Sequence, residues 1–212
     1  MASKLVKTAA MVGFFFMTTS GLALADSEVK GTVNNSTYDS YNLSNEIYGN
    51  HNKASIASIR LKNSYVGQNG TVTNKVEYLE DAFNYVEGDY NKASIASIHA
   101  YESEIKGDVT NQVTDVYEVY NDIYGNGNTA TIAGVNLKHA KVKGTVTNET
   151  KDLSYASNYI DGDYNTALIG AVHAEHSEIS GNVYNFTEHV DNVNNYVVGD
   201  HNKAAIASAS FE

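Results

Sequence analysis

Seven histidines invite a metal or catalytic reading, because imidazole both binds metals and moves protons near neutral pH. His173 and His176 form an H-x-x-H with Glu175 and Glu178 beside them. No such group recurs elsewhere in the chain, and the H-E-x-x-H arrangement of zinc peptidases is absent. His51 and His201 fall in turns where related segments carry Tyr or Gly, so the histidines read as solvated polar residues. Asp89, Asp163 and Asp200 sit in glycine-led turns and raise the question of calcium. Asn50 and Asn126 replace them in the other copies, however, and the G-G-x-G-x-D nonapeptide is missing. Neither G-x-G-x-x-G nor a P-loop lysine is present to cradle phosphate. The chain is acidic enough for carboxylate pairs, but none stands out as a site-like departure from the pattern around it. The residues therefore give no catalytic, cofactor-binding or metal-ligating set, and a non-enzymatic protein without a cofactor is expected.

What the glycines do mark is a repeat. The pattern G-x-x-N-x-A-x-I opens at Gly49, Gly88, Gly125, Gly162 and Gly199, at intervals of 39, 37, 37 and 37 residues. A second pattern, G-x-V-x-N, lies 18 residues upstream of each, at Gly31, Gly70, Gly107, Gly144 and Gly181. Self-similarity at a fixed period indicates a repeat architecture.

Residues 1–25 have the form of a secretory signal peptide. Lys4 and Lys7 give a basic start, Ala9 to Met17 is mostly apolar, and Ala23-Leu24-Ala25 supplies an A-x-A cleavage site. A retained anchor is the alternative. No other apolar run is long enough to cross a bilayer. Without the two leader lysines, 12 basic residues face 25 acidic ones, a net charge of −13, which disfavours nucleic acid and anionic lipid as partners. With no cysteine, stability cannot come from disulfides or thiolate–metal sites. With no proline, strand edges lack a common device against pairing.

The expected mature chain divides into units 26–63, 64–100, 101–137, 138–174 and 175–212, the second carrying a two-residue insertion near Gly67-Gln68. Each unit has three segments that alternate with period two, as strands do. In the third unit Ile105, Gly107, Val109 and Asn111 share one face; Val119, Asn121, Ile123 and Gly125 share the next; Asn128, Ala130, Ile132 and Gly134 share the last. Three columns are asparagine throughout: Asn35, Asn74, Asn111, Asn148 and Asn185; Asn45, Asn84, Asn121, Asn158 and Asn195; Asn52, Asn91, Asn128, Asn165 and Asn202. In a parallel stack each column becomes a ladder whose amides pair from rung to rung, which makes buried asparagine tolerable. The expectation is an all-β solenoid of five repeats with Asn and Ile/Val ladders. Two readings compete with parts of it. Asparagine could serve solely as a turn former, which suits the third column only. The spacing of Val76, Leu79, Phe83 and Val86, and of Val113, Val116, Val119 and Ile123, also suits a helix, as in a strand–helix solenoid.

The run Tyr124-Gly125-Asn126-Gly127-Asn128-Thr129-Ala130-Thr131-Ile132 resembles the strand–turn–strand unit of the curlin family, the secreted subunits of bacterial amyloid fibres. Gly49, Gly88, Gly162 and Gly199 open similar turns. The glutamines that flank the curlin turn are replaced here by residues such as Ile123 and Ser97, and the unit is nearly twice as long. Each unit is thus either two half-units or one three-sided coil. The resemblance implies a fibre subunit on the bacterial surface or in an extracellular matrix. Its partner is itself, head to tail, with a nucleator or secretion channel as accessory. Both end units keep the ladder residues, so uncapped ends are expected. An ice-binding face fails, because the Thr129 and Thr131 row is not repeated. The alternative function is a monomeric or fibre-tip adhesin, for which Tyr48, Tyr85, Tyr120, Tyr124, Tyr159 and Tyr196 would provide outward aromatic rings.

Overall fold

The computed structural model describes residues 22–48, 53–67, 70–125, 127–162, 164–199 and 202–211. Every regular element among them is a strand. After β1 (Leu22–Ala25), the first coil comprises β2 (Glu28–Val29), β3 (Val33–Tyr48), β4 (Ala54–Ile56) and β5 (Ile59–Lys62). The second has β6 (Tyr65–Val66), β7 (Val72–Glu87), β8 (Ala93–Ile95) and β9 (Ile98–Tyr101). The third has β10 (Glu104–Ile105), β11 (Val109–Tyr124), β12 (Ala130–Ile132) and β13 (Val135–Lys138). The fourth has β14 (Lys141–Val142), β15 (Val146–Asp161), β16 (Ala167–Ile169) and β17 (Val172–Glu175). The fifth has β18 (Glu178–Ile179), β19 (Val183–Asp191), β20 (Asn194–Val198), β21 (Ala204–Ile206) and β22 (Ala209–Phe211).

All pairings given by register are parallel and join consecutive coils, as in Asn111↔Asn148 and Ile132↔Ile169. Four sheets result, and each coil contributes one strand to every sheet, with β19 and β20 sharing the fifth place in the longest. The protein is therefore a β-solenoid of five coils, one coil per repeat. The insertion of the second unit falls between Val66 and Val72, where the register offset changes from 37 to 39 residues. Two details differ from the sequence reading. Strands β9, β13 and β17 each run one residue past the unit boundaries at 100, 137 and 174. Residues Leu22–Ala25, assigned to the leader, pair with Ile59–Lys62 as a sixth strand of the last sheet.

The long strand explains why a helical spacing appears in the sequence without any helix. Along β11 the buried residues are Val109, Asn111, Val113, then Val116, then Val119, Asn121 and Ile123. Asp115 and Glu118 have φ of 54° and 52°, and each adds one residue before the alternation resumes. Strand phase thus slips by one twice, giving i, i+3, i+6 spacing from an extended chain that turns two left-handed corners, in register in every coil. In β7 the inward residues are Val76, Leu79, Ala82 and Val86, whereas Phe83 is half-exposed on the outer face. The strand–helix reading is wrong at that point: alanine fills the interior and the phenylalanine does not. Inside, columns such as Val86, Ile123 and Ile160 are fully buried. Each such side chain contributes about 1.5–3 kcal/mol of apolar burial.

Candidate functional site: ladders and assembly faces

The first two asparagine columns lie inside, as their spacing predicted. In the first, the side-chain Nδ2 of Asn35 donates to Asn74 Oδ1 at 2.8 Å, and Asn74, Asn111 and Asn148 continue the chain to Asn185 at 2.9 Å each. In the second, Asn45, Asn84, Asn121, Asn158 and Asn195 repeat the arrangement at 2.8–2.9 Å. The second amide proton of this column is also used. Asn84 reaches the Ser94 carbonyl at 3.2 Å, Asn158 that of Leu168 at 3.0 Å and Asn195 that of Ala205 at 2.8 Å, each ten residues downstream. The column therefore pins the long sheet to the sheet of β4, β8, β12, β16 and β21 while it ties rungs together. Amide donors and acceptors are both satisfied, which is what permits Asn121 and Asn158 to be fully buried.

The third column runs with opposite polarity. Asn128 donates to Asn91 at 2.9 Å, Asn165 to Asn128 at 2.8 Å and Asn202 to Asn165 at 2.6 Å. Asn91, Asn128 and Asn165 also donate back to the carbonyls of Gly88, Gly125 and Gly162. The turn-former and ladder readings are both satisfied here, in one residue. The turn glycines Gly88, Gly125, Gly162 and Gly199 have φ of 116°, 113°, 138° and 109°. A Cβ on Gly125 would stand 2.4 Å from the Gly88 carbonyl oxygen, so close stacking excludes a side chain independently of the backbone angle. Gly49, Asn50, His51, Asn52, Asn126, Asp163, Asp200 and His201 lie outside the described residues.

The histidine pair does not converge. His173 is buried on the outer face of β17, while His176 is exposed at a positive-φ corner and stacks on His139 at 5.1 Å. His173 and His99, which lies two coils earlier in the same column, are not solvated as expected from sequence. Both sit in a notch where two sheets meet, and His99 Nε2 lies 2.9 Å from Ser94 Oγ. Burial, with Arg60 and Lys92 nearby, pushes His99 well below the ordinary histidine range, so it is neutral at pH 7. Among the described residues no three His, Asp or Glu side chains converge on a common point.

Outside, columns such as Thr73, Thr110 and Thr147 repeat, but most charged columns are mixed, and repulsion supplies the reason. Identical acids one rung apart would repel across a strand spacing of about 4.8 Å. Lys138 instead meets Glu175 at 2.7 Å, and Lys141 meets Glu178 at 2.6 Å, one coil on. Where acids do stack, protonation is favoured: the hydrogen bond to Asp81, then its charge, holds the Glu118 carboxyl above its usual value. Asp122 is raised by burial. Of the tyrosines, Tyr85, Tyr124, Tyr159 and Tyr196 form a continuous stack with centroids 5.2–5.7 Å apart. Serines make two short ladders, of opposite polarity, that sequence reasoning overlooked. The Ser97 amide donates to Ser58 Oγ at 3.1 Å, and that of Ser64 to Ser103 Oγ at 3.2 Å. The small residues at those turns were the available signal.

The end coils differ from the middle. Among the described residues, β3 pairs only with β7, and β19, β20, β21 and β22 each pair on one side only. In coil five Val183, Val190 and Val197 are half-buried and Ile206 and Phe211 exposed, whereas the equivalent residues of coil four are buried. At the opposite end Asn35 Oδ1 is buried with no hydrogen-bond partner.

No family model matches this chain, and no curated protein or solved structure matches it either.

Proposed function

We propose that the protein is a secreted structural subunit that polymerises head to tail into curli-like extracellular fibres serving matrix or surface attachment. The observation that carries this reading is the mismatch of hydrogen-bond needs at the two ends of one ladder. Asn35 Oδ1, at the first rung, is a buried acceptor with nothing to accept. Asn185, at the last, belongs to a column in which every earlier Nδ2 donates to the next Oδ1. Stacking coil five of one copy beneath coil one of another supplies the missing donor and continues the parallel pairing of β3. It also covers Ile206 and Phe211. Such a contact is heterologous and does not close, so it generates filaments.

The tail of the expected leader supports the same geometry. Leu22–Ala25 lies on β5 with Leu22 beside Ile59, and Leu22 and Leu24 are buried. That is the register in which Ala209 lies beside Val172, 37 residues away. Cleavage after Ala25 would open the edge of β5 to the Ala209–Phe211 strand of a preceding subunit. Net charge opposes association, so salt or falling pH accelerates it.

A second reading, a monomeric or tip-located adhesin, is favoured by five exposed tyrosines near the corners of the long sheet: Tyr38, Tyr41, Tyr78, Tyr117 and Tyr155. Electron microscopy and fibre diffraction of the chain from Asp26 onward separate the two. Unbranched fibres with a meridional spacing of about 4.7–4.8 Å are expected. Protein that stays monomeric at high concentration across salt and pH would overturn the fibre reading in favour of the adhesin.

A further inference from the structure

The notch between the two short-stranded sheets holds a cluster that the ladders do not explain. It is a groove of about 480 Å³ on the flank of coils one to four. Five of the chain's basic residues line it, namely Lys53, Arg60, Lys62, Lys92 and Lys138, although the chain as a whole carries a net charge of −11. Among the described residues only Lys138 of these has a carboxylate partner, Glu175 at 2.7 Å, and Glu175 is the only acid in the lining. Lys53, Arg60, Lys62 and Lys92 have no ion pair among the described residues. Among the described residues Glu175 is the one acid near these cations, and it is already engaged by Lys138.

Arg60 is the only arginine in the chain. Its Nη1 is buried and has no hydrogen-bond partner. An orphaned guanidinium nitrogen costs more than a neutral one, since a buried donor loses its water without compensation. Burial holds the guanidinium down to about 10, and burial with Arg60 beside it holds Lys92 down to about 8. Both displacements have the sign that a bound anion would reverse. The remainder of the groove is neutral and aromatic. Tyr101 carries Lys92 Nζ over its ring at 5.3 Å, and Thr129, Asn136 and Tyr164 extend the lining along the stack.

The geometry points to a binding groove for an acidic oligosaccharide, its carboxylate seated on Arg60 between Lys53 and Lys92 and its sugar rings lying along the tyrosine and amide side. A planar guanidinium matches a carboxylate in bidentate fashion, and aromatic faces with amide and hydroxyl donors suit sugar rings. The groove is larger than an inorganic anion requires, which sets the ligand class apart from free phosphate or sulfate. Its Arg60 end lies on coil one, beside the β5 edge at which subunits are proposed to meet, so binding is measured on the unassembled subunit.

The test uses the chain from Asp26 onward, unassembled at low salt, with trigalacturonate, neutral galactotriose and sodium sulfate as separate probes. Calorimetry should show trigalacturonate binding that weakens about tenfold in Arg60→Met, the scale of one lost charged hydrogen bond. Lys92→Met should also weaken it, and Lys143→Met, whose lysine pairs with Glu104 outside the groove, should not. As the sole arginine, Arg60 gives a single Nε–Hε resonance in the unmodified protein. That peak should move with trigalacturonate and stay in place with galactotriose, which keeps the proposal testable even where a variant misfolds. An unmoved peak, or unchanged affinity in a folded Arg60→Met protein, would overturn the groove as an anion site. Sulfate binding as tightly as trigalacturonate, or galactotriose binding equally well, would overturn the saccharide assignment.

Discussion

Replacing Asn121 by leucine tests whether the buried ladder is a stabilising device rather than a passenger of the fold. The two side chains share a branched four-atom skeleton, but leucine is larger and the position is fully buried, so some overpacking adds to the loss of hydrogen bonds. Asn121 accepts from Asn84 at 2.8 Å, donates to Asn158 at 2.8 Å and reaches the Thr131 carbonyl at 3.4 Å. Leucine orphans Asn158 Oδ1 in an apolar interior and leaves Asn84 Nδ2 with only its bond to the Ser94 carbonyl. One orphaned acceptor costs about 1–3 kcal/mol and a lost donor bond about 1 kcal/mol more, of which the apolar gain of leucine offsets part. A net loss of about 2–3 kcal/mol is expected, or a Tm lower by roughly 4–12 °C in a chain of this size. Asn195→Leu, in the same column but half-buried in coil five with one ladder neighbour, should cost about half as much. Asn194→Leu, its exposed neighbour, should cost roughly 0.5 kcal/mol or less. Urea melts followed by far-UV circular dichroism at low salt, where the subunit is unassembled, measure all three. Equal losses for Asn121 and Asn194 would refute the argument that ladder bonds carry this stability.

Gly125→Ala should destabilise by more than about 2 kcal/mol, because it meets both the positive φ and the Gly88 carbonyl at 2.4 Å; a Tm within a degree of the parent would contradict that. Lys92 titrates near 8 in the fold against 10.5 when unfolded, so the unfolded chain binds the extra proton between those values. Stability should therefore rise as pH increases from 8 to 10.5, and Lys92→Met should flatten this part of the profile in denaturant titrations. His99 acts in the same sense lower down, its contribution being present above pH 6.5 and lost as pH falls through that value. Protein beginning at Leu22 should polymerise with a longer lag than protein beginning at Asp26, since its own strand occupies the edge of β5; equal lags by light scattering would remove the leader tail from the account.

Several features were legible in the residues because a parallel in-register stack writes itself into the sequence as a period. The repeat of 37 residues, the inward side of each strand near the turns and the asparagine ladders all follow from one rule, that like stacks on like. Burial makes that rule strict: Asn111 is tolerable only because Asn74 and Asn148 are there to pair with it. What period could not decide was the course of the chain within a coil. Val113, Val116 and Val119 have the same spacing on a helix face and on a strand that turns two corners, and only the φ of Asp115 and Glu118 distinguishes them. The choice belongs to the whole stack, since a parallel neighbour on each side satisfies every backbone group of the extended form at once.

The outer columns were illegible for the opposite reason. Most of them vary from coil to coil, Lys53 and Lys92 being an exception at one repeat position, so little of the outer face is exposed by the period. That Arg60, Lys53 and Lys92 share one groove follows from the bend at Ala57 and Ala96, where φ is 50° and 53° and the sheets fold toward each other on the outside. Alanine gives no hint of a left-handed backbone, and nothing in the sequence shows that Arg60 folds back beside the Lys53–Lys92 column. The ladders are thus a property of the sequence read in register, whereas the notch, its buried histidines and its unpaired guanidinium exist only once the coil is closed.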